Sequence, residues 1–243
     1  MPYLLLVNII LFEPSETLAP LPRKDLRAVH ILKVLRLNPG DVFSAGLIDG
    51  PRGQATLVTI TDDALTLSFV WGEEPPPLDP ITLLIGLPRP QTARKILHEA
   101  TSLGVEALHF VRTELGEASY ASSVLWSSNE WRRHLIDGAQ QAFCTRLPRV
   151  VHSRWLSQAL AKLPPESCRL ALDNYEASIA LSKVDAKAPA VLAIGPERGW
   201  TDRERQSLRD AGFELVHLGR RILRTETACV AGITLLKARL GLI

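Results

Sequence analysis

Three arginines within five residues, Arg220, Arg221 and Arg224, follow an apolar strand and precede an apolar helix. Guanidinium groups at a helix start work against the macrodipole, so a chain built only for stability would carry them at the far end. A planar cation there suits a phosphate or a nucleobase; a solvated charged loop is the alternative reading. Glu226 follows in the first turn, where it either caps the helix or takes part in proton transfer. The segment Gly195-Pro196-Glu197-Arg198-Gly199-Trp200-Thr201 has the same grammar: apolar strand, Gly-bracketed turn, helix. Thr201 with Glu204 forms a capping-box pattern, and Gly195 and Gly199 permit close backbone approach. Both segments lie at carboxyl ends of strands, where open α/β sheets bind ligands. Taken alone, G-x-x-x-G reads as a tight turn. It lacks the Lys-Ser/Thr of a phosphate loop and the spacing of a dinucleotide fingerprint.

Other chemistries are not supported. Cys144, Cys168 and Cys229 stand far apart, and their odd count argues against a disulfide framework. The six histidines form no H-x-x-x-H pair, so no metal is expected. No apolar run reaches the roughly 18–20 residues of a membrane span. The longest, residues 4–12, reads as a buried strand without the basic flank of a signal peptide, and the protein as cytoplasmic. Net charge is +2, divided as −2 over residues 1–73 and +4 over 74–243; polyanion affinity must come from local patches.

The elements that must position these segments are legible. With 46% apolar residues in 243, the chain suffices for one large domain or two modest ones. Residues 73–80 hold four prolines and read as a semi-rigid linker. Before it, alternation at Leu65, Leu67, Phe69 and Trp71 and a run over 54–60 predict short strands. A helix is predicted over 24–37, with Leu26, Val29, Leu32 or Lys33, and Arg36 on one face, ended by Asn38-Pro39-Gly40. A small β-barrel-like module follows from this. After the linker, strands are predicted over 81–87, 107–111, 169–173, 190–195 and 213–218. Helices over 93–103, 129–143 and 227–240 alternate with them, as in a mostly parallel α/β sheet. The last helix is apolar nearly all round, so either the monomer or a second subunit must bury it.

The pair Ile194-Gly195-Pro196-Glu197-x-Gly199 and Leu218-Gly219-x-x-Ile222-Leu223-Arg224-x-Glu226-Thr227-Ala228 resembles the RsmE family, 16S rRNA uracil-N3 methyltransferases of the SPOUT superfamily. The segment from His30 to Leu37, then Pro39-Gly40-Asp41, is similar to the family's PUA-like opening module. Leu103-Gly104-Val105 and Gln141 also match. The resemblance implies an α/β fold: a PUA-like β-barrel RNA-binding domain at 1–72, a linker at 73–80, and a SPOUT methyltransferase domain at 81–243 with a mostly parallel sheet and a deep trefoil knot. It also implies a homodimer acting on 16S rRNA or the assembled small subunit, with S-adenosylmethionine as cofactor. Cofactor contacts are expected from Leu172 and Asn174; from Ile194, Gly195, Pro196, Glu197 and Gly199; and from Leu218, Gly219, Ile222, Leu223, Arg224 and Thr227.

Uracil N3 is a poor nucleophile until it loses its proton, so the site must orient N3 and favour the anion. Arg224 is the expected anion-stabilising cation, and Glu197 or Glu226 the group that takes the proton or orients a partner. RNA contacts are expected from His30, Arg36, Arg146, Arg220 and Arg221. The chain departs from the family pattern at Met1-Pro2-Tyr3-Leu4, Ser102, Cys144 and Arg198, and in the acidic segment Thr113-Glu114-Leu115-Gly116-Glu117. These departures keep two alternatives open: the same chemistry on another RNA site, or a non-catalytic RNA- or ribosome-binding homologue.

Overall fold

A computed structural model describes residues 8–243. The departure at Met1-Pro2-Tyr3-Leu4 and the first part of the 4–12 run lie outside the described residues. The chain divides into two compact units. One comprises the residues through Pro77 together with Ala139–Leu147; the other comprises Leu78–Gly138 and Pro148–Ile243.

In the first unit, β1 (Ile10–Phe12), β2 (Leu21–Pro22), β3 (Val42–Leu47), β4 (Arg52–Ile60) and β5 (Ala64–Trp71) form a sheet in the order β1-β3-β4-β5-β2. Only the β1–β3 pairing is parallel. Phe12, Ile31, Phe43, Leu57 and Leu65 fill its core. The predicted 24–37 helix is shorter and differently faced. Asp25 caps α1 (Leu26–Val29) by accepting from the Arg27 N–H at 2.8 Å. The coil then widens to a π-turn over His30–Val34, and Arg36 turns left-handed at φ 55°. Ala28 and Ile31 are buried while Leu26 is 75% exposed, so the apolar face is not the one expected.

The 139–147 segment completes this unit. The Leu11 N–H donates to Gln140 Oε1 at 3.1 Å, and buried Thr145 donates its hydroxyl to the Gly50 carbonyl at 2.6 Å. Arg146, expected on RNA, donates from Nε and Nη2 to the Pro75 carbonyl and from Nε to that of Pro76. That guanidinium therefore ties down the proline-rich segment.

The second unit begins with β6 (Asp79–Gly86), α2 (Pro90–Ser102), β7 (Val105–Arg112), α3 (Val124–Ser127) and α4 (Glu130–Gln141, its last turn in the first unit). It continues with β8 (Arg149–Trp155), α5 (Leu156–Leu160), β9 (Cys168–Leu172), β10 (Ile179–Ala180), β11 (Ala190–Ile194), α6 (Asp202–Asp210), β12 (Glu214–His217) and α7 (Thr225–Arg239). Its seven strands run in the order β10-β12-β9-β11-β6-β7-β8, every pairing parallel. All carboxyl ends therefore face one edge. The apolar run read as a strand covered on both faces is so: Leu83, Leu84 and Ile85 in β6 are fully buried.

Helix α7 buries Thr225, Cys229, Gly232, Ile233 and Leu236, one stripe at helical spacing, within its own unit. Ala228, Val230, Ala231 and Leu235 on its other side stay half-buried. Among the described residues no helix is long and apolar enough to cross a membrane.

Candidate active site

The loops that leave β9, β11 and β12 enclose a cavity of about 500 Å³, which the residues after β6 also border. Each loop is shaped by local chemistry. After β9, Asp173 turns the chain by accepting the backbone N–H groups of Tyr175 at 2.8 Å and Glu176 at 2.6 Å. Its other oxygen accepts from Arg205 Nε of α6 at 2.8 Å, with only 2% and 7% of the two side chains exposed. Burial pushes the Asp173 carboxyl upward, but the Glu176 N–H and the Arg205 guanidinium outweigh it and hold the group below its ordinary range.

After β11, the turn is tight enough that a Cβ on Gly195 would lie 3.2 Å from Gly199 Cα. Gly199 takes φ +72°, which favours glycine. Buried Trp200 pins the turn to β9 by donating from Nε1 to the Leu172 carbonyl at 3.2 Å. The capping box read from the sequence forms. Thr201 Oγ1 accepts from the Glu204 N–H at 3.1 Å, and Glu204 Oε2 accepts from the Thr201 N–H at 3.0 Å. After β12, Gly219 at φ +110° donates its N–H to His217 Nδ1 at 3.0 Å. Among the described residues, Arg220 to Leu223 make no backbone–backbone hydrogen bond, so their amides and carbonyls remain available to a ligand.

Most of the expected residues meet here. Leu172, Asn174, Ile194, Gly195, Pro196 and Gly199 line the cavity, as do Leu218, Ile222 and Leu223. So do the three expected catalytic groups, Arg224, Glu197 and Glu226, together with Arg221. Gly219, Arg220 and Thr227 do not border it; Arg220 and Thr227 are exposed. His30 and Arg36 belong to the first unit. The sequence did not single out Arg89, Thr92, Tyr175 or Thr225, which also line it, as does Ala228 of the second motif. For Arg89 a signal was present: Pro88-Arg89-Pro90 leaves the most apolar strand and opens a helix.

The two glutamates differ. Glu197 Oε1 accepts the Arg89 N–H at 3.0 Å, at the start of α2. Its other oxygen has no partner among the described residues. Glu226 has a side chain 14% exposed and pairs with Lys95 Nζ at 3.1 Å. Its own backbone N–H, with Lys95 and Arg224, holds its carboxyl below the ordinary value against the effect of burial. A carboxylate so stabilised is a weak proton acceptor. Arg224, the residue preceding α7, is exposed and makes no ion pair among the described residues. Among the described residues no three His, Cys, Asp or Glu side chains group to hold a metal.

Residues 74–237 match the RNA methyltransferase domain family. The ribosomal RNA small subunit methyltransferase E of Treponema pallidum is 39% identical over 235 residues, covering 93% of this chain and 88% of that protein. The ribosomal RNA small subunit methyltransferase E 1 of Borreliella burgdorferi is 31% identical over 234 residues, covering 93% and 95%. The crystal structure of the ribosomal RNA small subunit methyltransferase E from Neisseria gonorrhoeae bound to S-adenosyl methionine aligns with a TM-score of 0.80 and 26% identity, over 96% of this chain and 98% of that one. On this similarity across nearly its whole length, the chain belongs to the ribosomal RNA small subunit methyltransferase E family.

Proposed function

We propose that this chain is an RNA methyltransferase that transfers a methyl group from S-adenosylmethionine to N3 of a uridine in 16S ribosomal RNA. The observation that carries the reading is the cavity of about 500 Å³ at the carboxyl ends of parallel strands, in a chain of this family. The residues fit the cofactor. Leu172, Ile194, Leu223 and Ala228 offer apolar walls, and the open amides and carbonyls of the 220–223 segment suit a hydrogen-bonding heterocycle such as adenine. Arg198 lines the cavity without filling it, which weighs against the non-catalytic reading.

S-adenosylmethionine supplies an electrophilic methyl group on a sulfonium sulfur. The chain's own residues must prepare the nucleophile. Arg224 stands where its guanidinium stabilises a uracil anion as N3 loses its proton. Glu197, whose second oxygen has no partner among the described residues, receives that proton, while Glu226 holds Lys95 and the first turn of α7 in place. Arg221 at the cavity lip and Arg220 on the exposed loop serve RNA phosphate.

The same reading takes residues 1–72 as a PUA-like RNA-binding module, 73–80 as a linker and 81–243 as a SPOUT domain with a trefoil knot. It places the enzyme in the cytoplasm as a homodimer, with the half-buried side of α7 against a second copy. The test is calorimetric titration with S-adenosylmethionine, followed by methyl transfer to small-subunit particles lacking the modification. Micromolar binding, about −8 kcal/mol, and a new N3-methyluridine are expected. Cofactor binding with methylation elsewhere in RNA would favour the alternative target, and no binding with or without particles would favour a non-catalytic RNA-binding role.

A further inference from the structure

The outer strand of the second unit gathers cations without counter-charge among the described residues. Residues 148–165 contain no Asp or Glu and carry Arg149, Arg154 and Lys162. Arg149 and Arg154 lie in β8, which ends the seven-stranded sheet beside β7. Neither makes a hydrogen bond or ion pair among the described residues. Neither lines the cavity described above.

Strand register places them. Ala107, His109 and Val111 alternate onto one face of β7, and their partners in β8 are Arg149, Val151 and Arg154. One residue separates His109 from Val111, but two, His152 and Ser153, separate Val151 from Arg154. The extra residue is a bulge, with Ser153 left-handed at φ 70°. Without it Ser153 would stand on the His109 face and Arg154 on the opposite one, where His152 stacks on Trp126. The bulge thus sets both arginines on the face of His109. His109 is 8% exposed, and its Nε2 has no hydrogen-bond partner among the described residues. Burial, Arg149 and Arg154 push its pKa down to about 4, so the imidazole stays neutral beside them. An edge strand can carry charge simply to keep other sheets away, which accounts for exposed Arg149. It does not account for a buried, unpartnered imidazole set in register between two guanidiniums, or for the left-handed residue that brings the second of them there. Like charges gathered in this way oppose stability until an anion joins them.

We propose that Arg149, Arg154 and His109 form a site for a backbone phosphate of the RNA substrate on the β8 flank of the sheet. This rests on the RNA methyltransferase reading above. The two guanidinium forks donate to the non-bridging oxygens, and the neutral imidazole donates one N–H more. A contact of this kind fixes where the strand lies and leaves its bases free, so it adds affinity and register without reading sequence.

The test measures filter binding of a 16S rRNA transcript between about 50 and 200 mM salt. Changing Arg149→Gln and Arg154→Gln together should lower the slope of log affinity against log salt by about one, as loss of a phosphate contact does. Arg149→Lys with Arg154→Lys should keep the slope, because the charges remain. His109→Phe should weaken binding by about twofold to tenfold at fixed salt, the worth of one hydrogen bond, with the slope unchanged because a neutral ring releases no counterion. Lys183→Gln removes an exposed charge beside β10, at the opposite edge of the sheet, and should leave both quantities alone. S-adenosylmethionine affinity within about twofold reports that each variant is folded. No RNA binding by the unaltered protein, an unchanged slope in the glutamine pair, an equal fall in Lys183→Gln, or full affinity in His109→Phe would each overturn the proposal. The slope reads RNA contact whether or not a methyl group is transferred. Failure of the unaltered protein to bind S-adenosylmethionine and to methylate any RNA would instead overturn the methyltransferase reading beneath it.

Discussion

Arg224 and Glu226 lie two residues apart on the same cavity wall, and their surroundings give them different work. Arg224 is exposed and makes no ion pair among the described residues, so its charge remains available to a developing anion. Replacing it with alanine should leave cofactor affinity nearly intact and lower turnover by more than about tenfold, roughly 1.4 kcal/mol; single-turnover kinetics on ribosomal particles would check this, and unchanged turnover would remove Arg224 from that role. On the cavity wall, Asp173 joins two backbone amides and Arg205 in a buried cluster. Asp173→Asn should cost about 1–3 kcal/mol of stability, since it removes the buried partner of Arg205 Nε while Asp202 at 2.7 Å and Glu176 at 3.8 Å still face its Nη1. The sign with pH follows from the lowered carboxyl. The contribution is present above the unfolded value, about 3.9, and is lost as the pH falls through the lower folded value. Denaturant titrations at neutral and acid pH should therefore show the gap between the unaltered and Asn proteins closing in acid; a gap independent of pH would mean the ion pair does not govern it.

At the scale of elements, the Gly-bracketed turn after β11 depends on a neighbour in β6. A Cβ on Gly86 would lie 2.4 Å from Pro196 Cδ and 2.6 Å from Pro196 N. The second of these is backbone, so the loop itself must shift. Gly86→Ala is expected to weaken S-adenosylmethionine binding by about tenfold or more through displacement of the 195–199 turn; calorimetry would show it, and wild-type affinity would mean the turn tolerates the shift. The strands and helices of the second unit were legible because long apolar runs and helical periodicity are local signals. Four elements were not: the helices α3 and α5, of four and five residues, are too short to show helical periodicity, and the strands β8 and β10 gave no strand pattern. β8 reads Arg-Val-Val-His-Ser-Arg-Trp, with no alternation, and its ladder slips between His109 and Val111 of β7. β10 is only two residues long. The helix predicted over 24–37 failed at its face, because a π-turn and the left-handed Arg36 change which side chains point inward.

For the whole molecule, the linker at 73–80 suggested a single cut. The last turn of α4 and the following residues instead join the first unit through Gln140, Thr145 and Arg146. Polar residues in a short segment carry no mark of the distant strand they will meet. The proposed dimer makes a simple prediction. Sedimentation equilibrium should give a mass twice the 26.8 kDa of one chain. Leu235→Glu, on the half-buried side of α7, should reduce the mass to that of the monomer. A single-chain mass for the unaltered protein would set the dimer aside.

The order of strand, turn and helix and the capping box at Thr201 were readable from residue types and spacing, because each depends on neighbours a few positions away; the meeting of the 195–199 and 218–224 segments in one cavity was expected only from the family resemblance. The tertiary structure decided which long-range partners complete them. It brought Arg89 and Tyr175 into the cavity, set Arg146 on proline carbonyls, and gave Glu226 a lysine that lowers its basicity. Parallel strand order does this work. It sets the carboxyl ends of strands far apart in sequence side by side, and sequence spacing carries no measure of that adjacency.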